Sequence, residues 1–295
     1  MIVAVRAWLL AIRPRTLPAA VSPVLVGTAA AAADHAFRLF PALAALAGGL
    51  LLQIGVNLAN DYFDFVRGVD TTERLGPLRV TQSGLIPPGR VLAGMILTFL
   101  LAAGTGLYLT YAAGWPVVAI GSASILVAVL YSGGPYPLAS HGLGDVFAFV
   151  FFGPVAVCGT YYVQTLGLTP LCMMLSVSVG LLVAAILVVN NLRDIPTDSR
   201  VGKRTLAVIL GPGRSRVEFV LLLIIAYGLL AALWLAGNLS PWGLLPFLTL
   251  PMAIALVRSL WVLSGPGLNA ALARTAVLTL VFSLLLSAGL VIPTL

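Results

Sequence analysis

The chain reads as an all-α membrane protein, with about nine transmembrane helices around a central cavity and a single domain over 1–295. Three observations predict this. Sixty per cent of the 295 residues are hydrophobic and only 8% are charged, and the mean hydropathy of +1.09 implies more apolar surface than a soluble domain of this length can bury. Apolar runs near the ~20 residues needed to cross a bilayer recur from one end to the other. No linker, low-complexity segment or shift in composition divides them.

The first element is the segment MIVAVRAWLLAIRPR. Its apolar patch is interrupted by Arg13 and Arg15 and is not followed by a small-residue cleavage site, so it reads as an amphipathic surface helix. Spans then fall at 17–33, 40–60, 91–113, 115–132, 142–163, 170–192, 217–236, 241–263 and 272–292. Only Gly114 and its neighbours separate the third and fourth, and merging them would give eight.

The basic residues test this order. With nine spans, the N-terminus and the connections after spans 2, 4, 6 and 8 share one side, and of sixteen Lys and Arg only Arg38 falls on the other. The positive-inside rule then places the N-terminus in the cytoplasm and the protein in the cytoplasmic (inner) membrane. The net charge of +7 suits anionic headgroups or an anionic substrate. Nucleic acid is excluded as a partner, since no soluble domain presents a basic face. Cys158 and Cys172, in or beside spans, suggest neither a zinc site nor a disulfide framework.

Two connections, 61–90 and 193–216, are long, and long connections in a compact domain are often functional. They hold six of the nine acids: Asp61, Asp64, Asp70 and Glu73 in one, Asp194 and Asp198 in the other. Acids are costly beside lipid, so such grouping marks a site. Gln53, Asn57, Asn60, Asp61 and Asp64 recur at intervals of three and four, which lays them along one stripe of a continuous helix. Asn60-x3-Asp64 returns as Asn190-x3-Asp194, a faint repeat that puts two similar polar helix ends on one membrane face. Asp194 and Asp198 stand four apart with Pro196 between them, so the helix carrying them is expected to kink or end there.

Oxygen ligands at this density suit Mg2+, which is usually held by one or two carboxylates plus substrate phosphates. Arg67, Arg74 and Arg79 interleave with the first acids, and Arg193, Arg200, Lys203 and Arg204 with the second. Acids holding magnesium inside a ring of bases would form a clamp for a diphosphate. His35 and His141 read as structural hydrogen-bonders. Tyr131, Tyr136, Tyr161 and Tyr162 could face a cationic intermediate, although interfacial tyrosines are common. Nucleophile motifs, phosphate loops and metal-binding His pairs are absent from the sequence.

The run NDYFD at 60–64, with Asp70 and ERLGPLRVTQSGLIPP after it, and the later NNLRDIPTDSRVGKRTLAVILG resemble the UbiA superfamily of intramembrane aromatic prenyltransferases. AIRPRTLPAAVSPVLVGTA and GLGDVFAFVFFGPVAVCGTYYVQT are similar to its 1,4-dihydroxy-2-naphthoate polyprenyltransferases, which serve menaquinone synthesis. The resemblance implies nine helices around a cavity opening sideways to lipid, capped by the acidic motifs. It implies that Asn60 and Asp64 hold one magnesium and Asp194 and Asp198 another. Arg13, Arg67 and Lys203 would contact diphosphate, Gln53 and Asn57 would lie near the aromatic acceptor, and Asp61 matches an acid of open role. Gly68 stands where the superfamily commonly has its third acid and Asp70 comes two residues later, which leaves ligation by Asp70 open.

The implied reaction joins a polyprenyl diphosphate to 1,4-dihydroxy-2-naphthoate with loss of carbon dioxide. Two other readings remain: prenylation of a different acceptor such as 4-hydroxybenzoate, homogentisate or haem, and an ion-coupled transporter. Transporter sites usually lie near the midplane on broken helices, whereas these acids gather at one face.

Overall fold

Apolar runs buried in lipid must satisfy their backbone groups internally, and here they do so as helices. The structure, a computed structural model, describes residues 2–70 and 75–294, without the side chains of 2–4. Glu73 and Arg74 lie outside the described residues. In order come α1 (Ile2–Ile12), α2 (Pro18–Ala33), α3 (Leu39–Val66), α4 (Pro88–Ala113), α5 (Pro116–Leu130), α6 (Gly144–Val150), a π-helical stretch (Phe151–Cys158), α7 (Gly159–Thr165), α8 (Pro170–Arg200), α9 (Leu206–Leu235), a 3₁₀ stretch (Pro241–Thr249), α10 (Leu250–Val262) and α11 (Leu268–Val291).

The nine expected spans appear in order as helical segments, but length and composition carry fewer of them. Among the described residues seven are long and apolar enough to cross a membrane alone. The bent pair Val5–Thr16 and Pro18–Ala33, turned by 50°, makes an eighth if counted as one span, and α5 is short. The chain is a multi-pass membrane protein. Gly114 divides α4 from α5 as expected: its φ of 86° and ψ of −176° suit only glycine, and Pro116 starts the next helix.

α8 is the central strut, with 72% of its most apolar stretch buried. Leu175, Val179, Leu182 and Val189 pack there against Phe219 and Leu223 of α9 and Leu278 and Phe282 of α11. On its other side the π-helical stretch comes backbone to backbone. A Cβ at Gly153 would lie 2.7 Å from the Ser176 carbonyl oxygen and 2.9 Å from the Gly180 Cα. Pro154, which cannot donate within a helix, sits inside that stretch, where the wider π register absorbs it. A second core joins Ala7 and Ala11 of α1 to Leu58 and Ala59 of α3 and Val91, Met95 and Phe99 of α4. The amphipathic first helix is therefore docked on the bundle by its small-residue face.

Both long connections need correction. α3 runs on to Val66, so Asp61 and Asp64 are helical and the first connection begins only at Arg67. α8 runs to Arg200 with Pro196 inside it, so the helix does not end at the proline and Asp194 and Asp198 share it one turn apart. α9 already starts at Leu206, with a break at Gly211 (φ 77°, ψ 168°), leaving only 201–205 between helices. The tertiary enclosure at these helix ends favours helix over loop. The spacing of the α3 stripe agrees with this, and only the bounds 61–90 and 193–216 expected for the two connections are too wide.

Candidate active site

A cavity of about 350 Å³ runs between α2, α3, α4, α5, α8 and the π-helical stretch. Its wall is mostly small and apolar, including Ala20, Val24, Gly48, Gly49, Ala102 and Val183. Polar side chains gather at one end: Arg13, Thr16, Gln53, Asn57, Asn60, Tyr131 and Asn190. α5 packs on α3 and α4 and also meets α7.

The expected stripe on α3 exists, and Gln53, Asn57, Asp61 and Asp64 are buried. Each has a partner, as buried polar groups require. Asn57 donates from Nδ2 to the Ile12 carbonyl at 2.8 Å and to Thr16 Oγ1 at 3.1 Å, and Gln53 Nε2 reaches Thr16 Oγ1 at 3.5 Å. These bonds tie α3 to the bend after α1. In that bend Arg13 adopts a left-handed backbone (φ 54°, ψ 71°), which is costly outside glycine and turns its side chain to the cavity. Thr16 was not legible as a site residue in the sequence.

Asp61 takes a structural role. Its two oxygens accept from the backbone N–H groups of Val80 (3.2 Å) and Thr81 (2.9 Å), drawing the α3–α4 connection over the helix end, and Arg13 Nη2 stands 4.0 Å away. Drawn in with that connection, Arg79 is 5% exposed and lies between two acids, with Nη2 at 3.0 Å from Asp64 and Nε at 3.3 Å from Asp70. Asp70 therefore sits in the ion-pair network behind Asp64. From the 201–205 turn, Lys203 Nζ reaches the same Asp64 oxygen at 3.2 Å. That contact spans 139 residues and brings the end of α8 to the end of α3.

The second motif is held differently. Arg193, 1% exposed, grips both oxygens of Asp194 at 2.8 and 2.6 Å, donates to Asn190 Oδ1 at 2.9 Å, and reaches Asn269 of α11 at 2.9 Å. Tyr131, at the end of α5, stands within electrostatic reach of Asp64, Asp145 and Asp198, so both motifs converge on one polar end. Arg67 donates to the backbone carbonyls of Ser132 (3.0 Å) and Gly134 (3.2 Å).

Among the described residues no three His, Cys, Asp or Glu side chains cluster as a ready metal site. The candidate donors are instead Asn60 and Asp64 on α3 and Asp194 and Asp198 on α8, with Asp64 balanced by Arg79 and Lys203 and Asp194 by Arg193. All these donors are hard oxygens beside cations, a chemistry that fits magnesium with a diphosphate.

A family model described as UbiA prenyltransferase family matches residues 20–278. The chain belongs to the UbiA prenyltransferase family. It is 44% identical over 247 residues to a 1,4-dihydroxy-2-naphthoate octaprenyltransferase of Mycobacterium tuberculosis, covering 84% of this chain and 83% of that one. It is 39% identical over 259 residues to the 1,4-dihydroxy-2-naphthoate octaprenyltransferase of Escherichia coli, covering 86% and 84%. Among solved structures it is similar to a UbiA homolog from Archaeoglobus fulgidus bound to GPP and Mg2+, with a TM-score of 0.68, 16% identity, and 97% and 99% of the two chains covered. At that identity the likeness speaks for the UbiA fold.

Proposed function

We propose that this UbiA family member transfers a polyprenyl group from an allylic prenyl diphosphate to 1,4-dihydroxy-2-naphthoate, with loss of carbon dioxide and, after oxidation, formation of demethylmenaquinone. The names of its relatives support the acceptor. The observation that carries the chemistry is Lys203 on Asp64, which gathers both acidic motifs and their bases at the polar end of an otherwise apolar cavity.

Asn60 and Asp64, and Asp194 and Asp198, would hold magnesium, which when bound supplies positive charge to the departing diphosphate. Arg79 and Lys203, now paired with Asp64, are placed to turn toward diphosphate oxygens as charge appears there. The apolar wall excludes water, so the allylic cation meets the ring before it meets hydroxide. Gln53 and Asn57 border that end and would orient the acceptor, and Arg13 beside them would contact the diphosphate. The ring carbon bearing the carboxylate attacks, the new carbon–carbon bond forms, and the electrons of the breaking C–CO2 bond return to the ring. No strong general base is required.

Carboxyl-labelled 1,4-dihydroxy-2-naphthoate should release labelled carbon dioxide in step with prenylated product, only with magnesium and prenyl diphosphate both present. Product that kept the label, or turnover confined to 4-hydroxybenzoate, would overturn the acceptor. Charge asymmetry in the sequence supports a site on the cytoplasmic side. Ser83→Cys and Ser199→Cys, both at exposed positions, in a background lacking Cys158 and Cys172, should resist an impermeant thiol reagent in intact cells. Labelling from outside would reverse the orientation. Ser215, also within the second expected connection, is fully buried and bonded to the Gly211 carbonyl, so it is unsuited to that test.

A further inference from the structure

Asn60 and Phe63 of α3 and Arg67, which caps its end, stand at i, i+3 and i+7, along one face. All three meet the turn that follows α5. Ser132, 5% exposed, donates from Oγ to Asn60 Oδ1 at 2.5 Å. Gly133 presses on Phe63 so closely that a Cβ there would lie 2.8 Å from the ring and 2.8 Å from the Val129 carbonyl oxygen. Arg67 then clamps the Ser132 and Gly134 carbonyls, and Gly134 has a φ of 76°, which favours glycine. A five-donor guanidinium at the helix end thus fixes a turn whose one buried hydroxyl points at the first residue of the Asn-x3-Asp motif.

From this geometry we infer that Ser132 is a positioning residue for the first acidic motif, holding the Asn60 side-chain oxygen in place for a divalent cation, and that Arg67 acts through it by latching the turn. The inference rests on the reading of Asn60 as a ligand. An amide oxygen has two lone pairs. Ser132 takes one and sets the rotamer, leaving the other for the metal. A reversed amide would offer N–H groups, which cannot ligate. Asn190 on the second motif has its oxygen fixed in the same manner by Arg193, so each motif carries a donor that orients its asparagine. Hydrogen bonds of this kind behind a ligand commonly matter tenfold or more for metal affinity.

The test uses the full chain purified in detergent, with Mn2+ binding followed by electron paramagnetic resonance in the presence of inorganic pyrophosphate, alongside the magnesium dependence of turnover. Ser132→Ala should weaken Mn2+ binding by about tenfold and raise the half-saturating magnesium by the same factor. The rate should return at high magnesium and the KM for the acceptor should stay unchanged. Ser132→Thr, which keeps the hydroxyl, should restore binding.

Arg67→Gln should reproduce part of the metal defect without raising the prenyl diphosphate KM at saturating magnesium. Combined with Ser132→Ala it should add less than its separate effect, as expected for residues acting in series. Unchanged Mn2+ binding in Ser132→Ala, with weakened binding in Asn60→Ala, would overturn the role of Ser132 and leave Asn60 as a ligand. Unchanged binding in both would remove the ligand reading itself. A rise in prenyl diphosphate KM for Arg67→Gln at saturating magnesium would return Arg67 to the diphosphate and overturn the latch.

Discussion

At the end of α3, Asp64 is neutralised by Arg79 from one connection and Lys203 from another, whereas at the end of α8 Asp194 is gripped by Arg193, its neighbour in the same helix. The sequence pattern around the two acids is the same, Asn-x3-Asp. Their partners differ in tether. Arg79 and Lys203 ride on segments that can shift without breaking a helix, while Arg193 is 1% exposed and also ties Asn190 and Asn269. One motif is arranged to exchange its cations with an arriving diphosphate. The other is arranged as a fixed anchor between α8 and α11.

The largest effect expected from breaking this pair is on turnover. Asp64→Asn and Asp194→Asn should each lower it by about a thousandfold or more, corresponding to roughly 4 kcal/mol of leaving-group stabilisation. Product measured by mass spectrometry at limiting magnesium checks this, and near-normal turnover would remove the residue from the ligand set. The same variants sharpen the comparison by their stability. Asp194→Asn strands a buried guanidinium and should melt well below Asp64→Asn, where Arg79 keeps Asp70 and Lys203 can turn to solvent. Equal melting temperatures would erase the distinction between exchangeable and fixed.

Next comes Arg193→Met, which leaves Asp194 buried without its cation. About 3–5 kcal/mol of destabilisation is expected for breaking such a pair from one side, read as a lowered unfolding midpoint in detergent. A loss under about 1 kcal/mol would mean that Arg193 is not an anchor. Lys203→Ala should do least to the fold, within about 0.5 kcal/mol as for other partly exposed positions. It should raise the KM for prenyl diphosphate about tenfold, which is about 1.4 kcal/mol, with the acceptor KM little changed. A shift confined to the acceptor would move Lys203 to the other substrate.

Much of this was readable before any coordinates. The polar stripe from Gln53 to Asp64 followed from helical spacing, and it lies on one continuous helix. The spans followed from apolar run length, with only Gly114 and its neighbours to divide the third from the fourth. What the sequence hid depends on neighbours far along the chain. Asp61 looked like one more acid of the motif, yet its oxygens are taken by the N–H groups of Val80 and Thr81. Thr16 and Ser132 carry no signal of their own, and only the meeting of the first bend and the α5 turn with α3 gives them partners. The proline between Asp194 and Asp198 pointed to a helix that kinks or ends there, yet α8 runs on to Arg200. Packing of α8 on α9 and α11 carries the helix past the proline.

The shortness of α5 has a further consequence. Fifteen residues at 1.5 Å each give about 22 Å of helix, against a hydrocarbon layer of roughly 30 Å. Hydrophobic mismatch of this size is met by thinning the bilayer or by sinking the polar end of the helix below the headgroups. On either course the turn at Ser132–Gly134 is held nearer the hydrocarbon than the end of a full-length span would be, so membrane thickness becomes a variable that bears on the turn that meets Asn60 and Arg67.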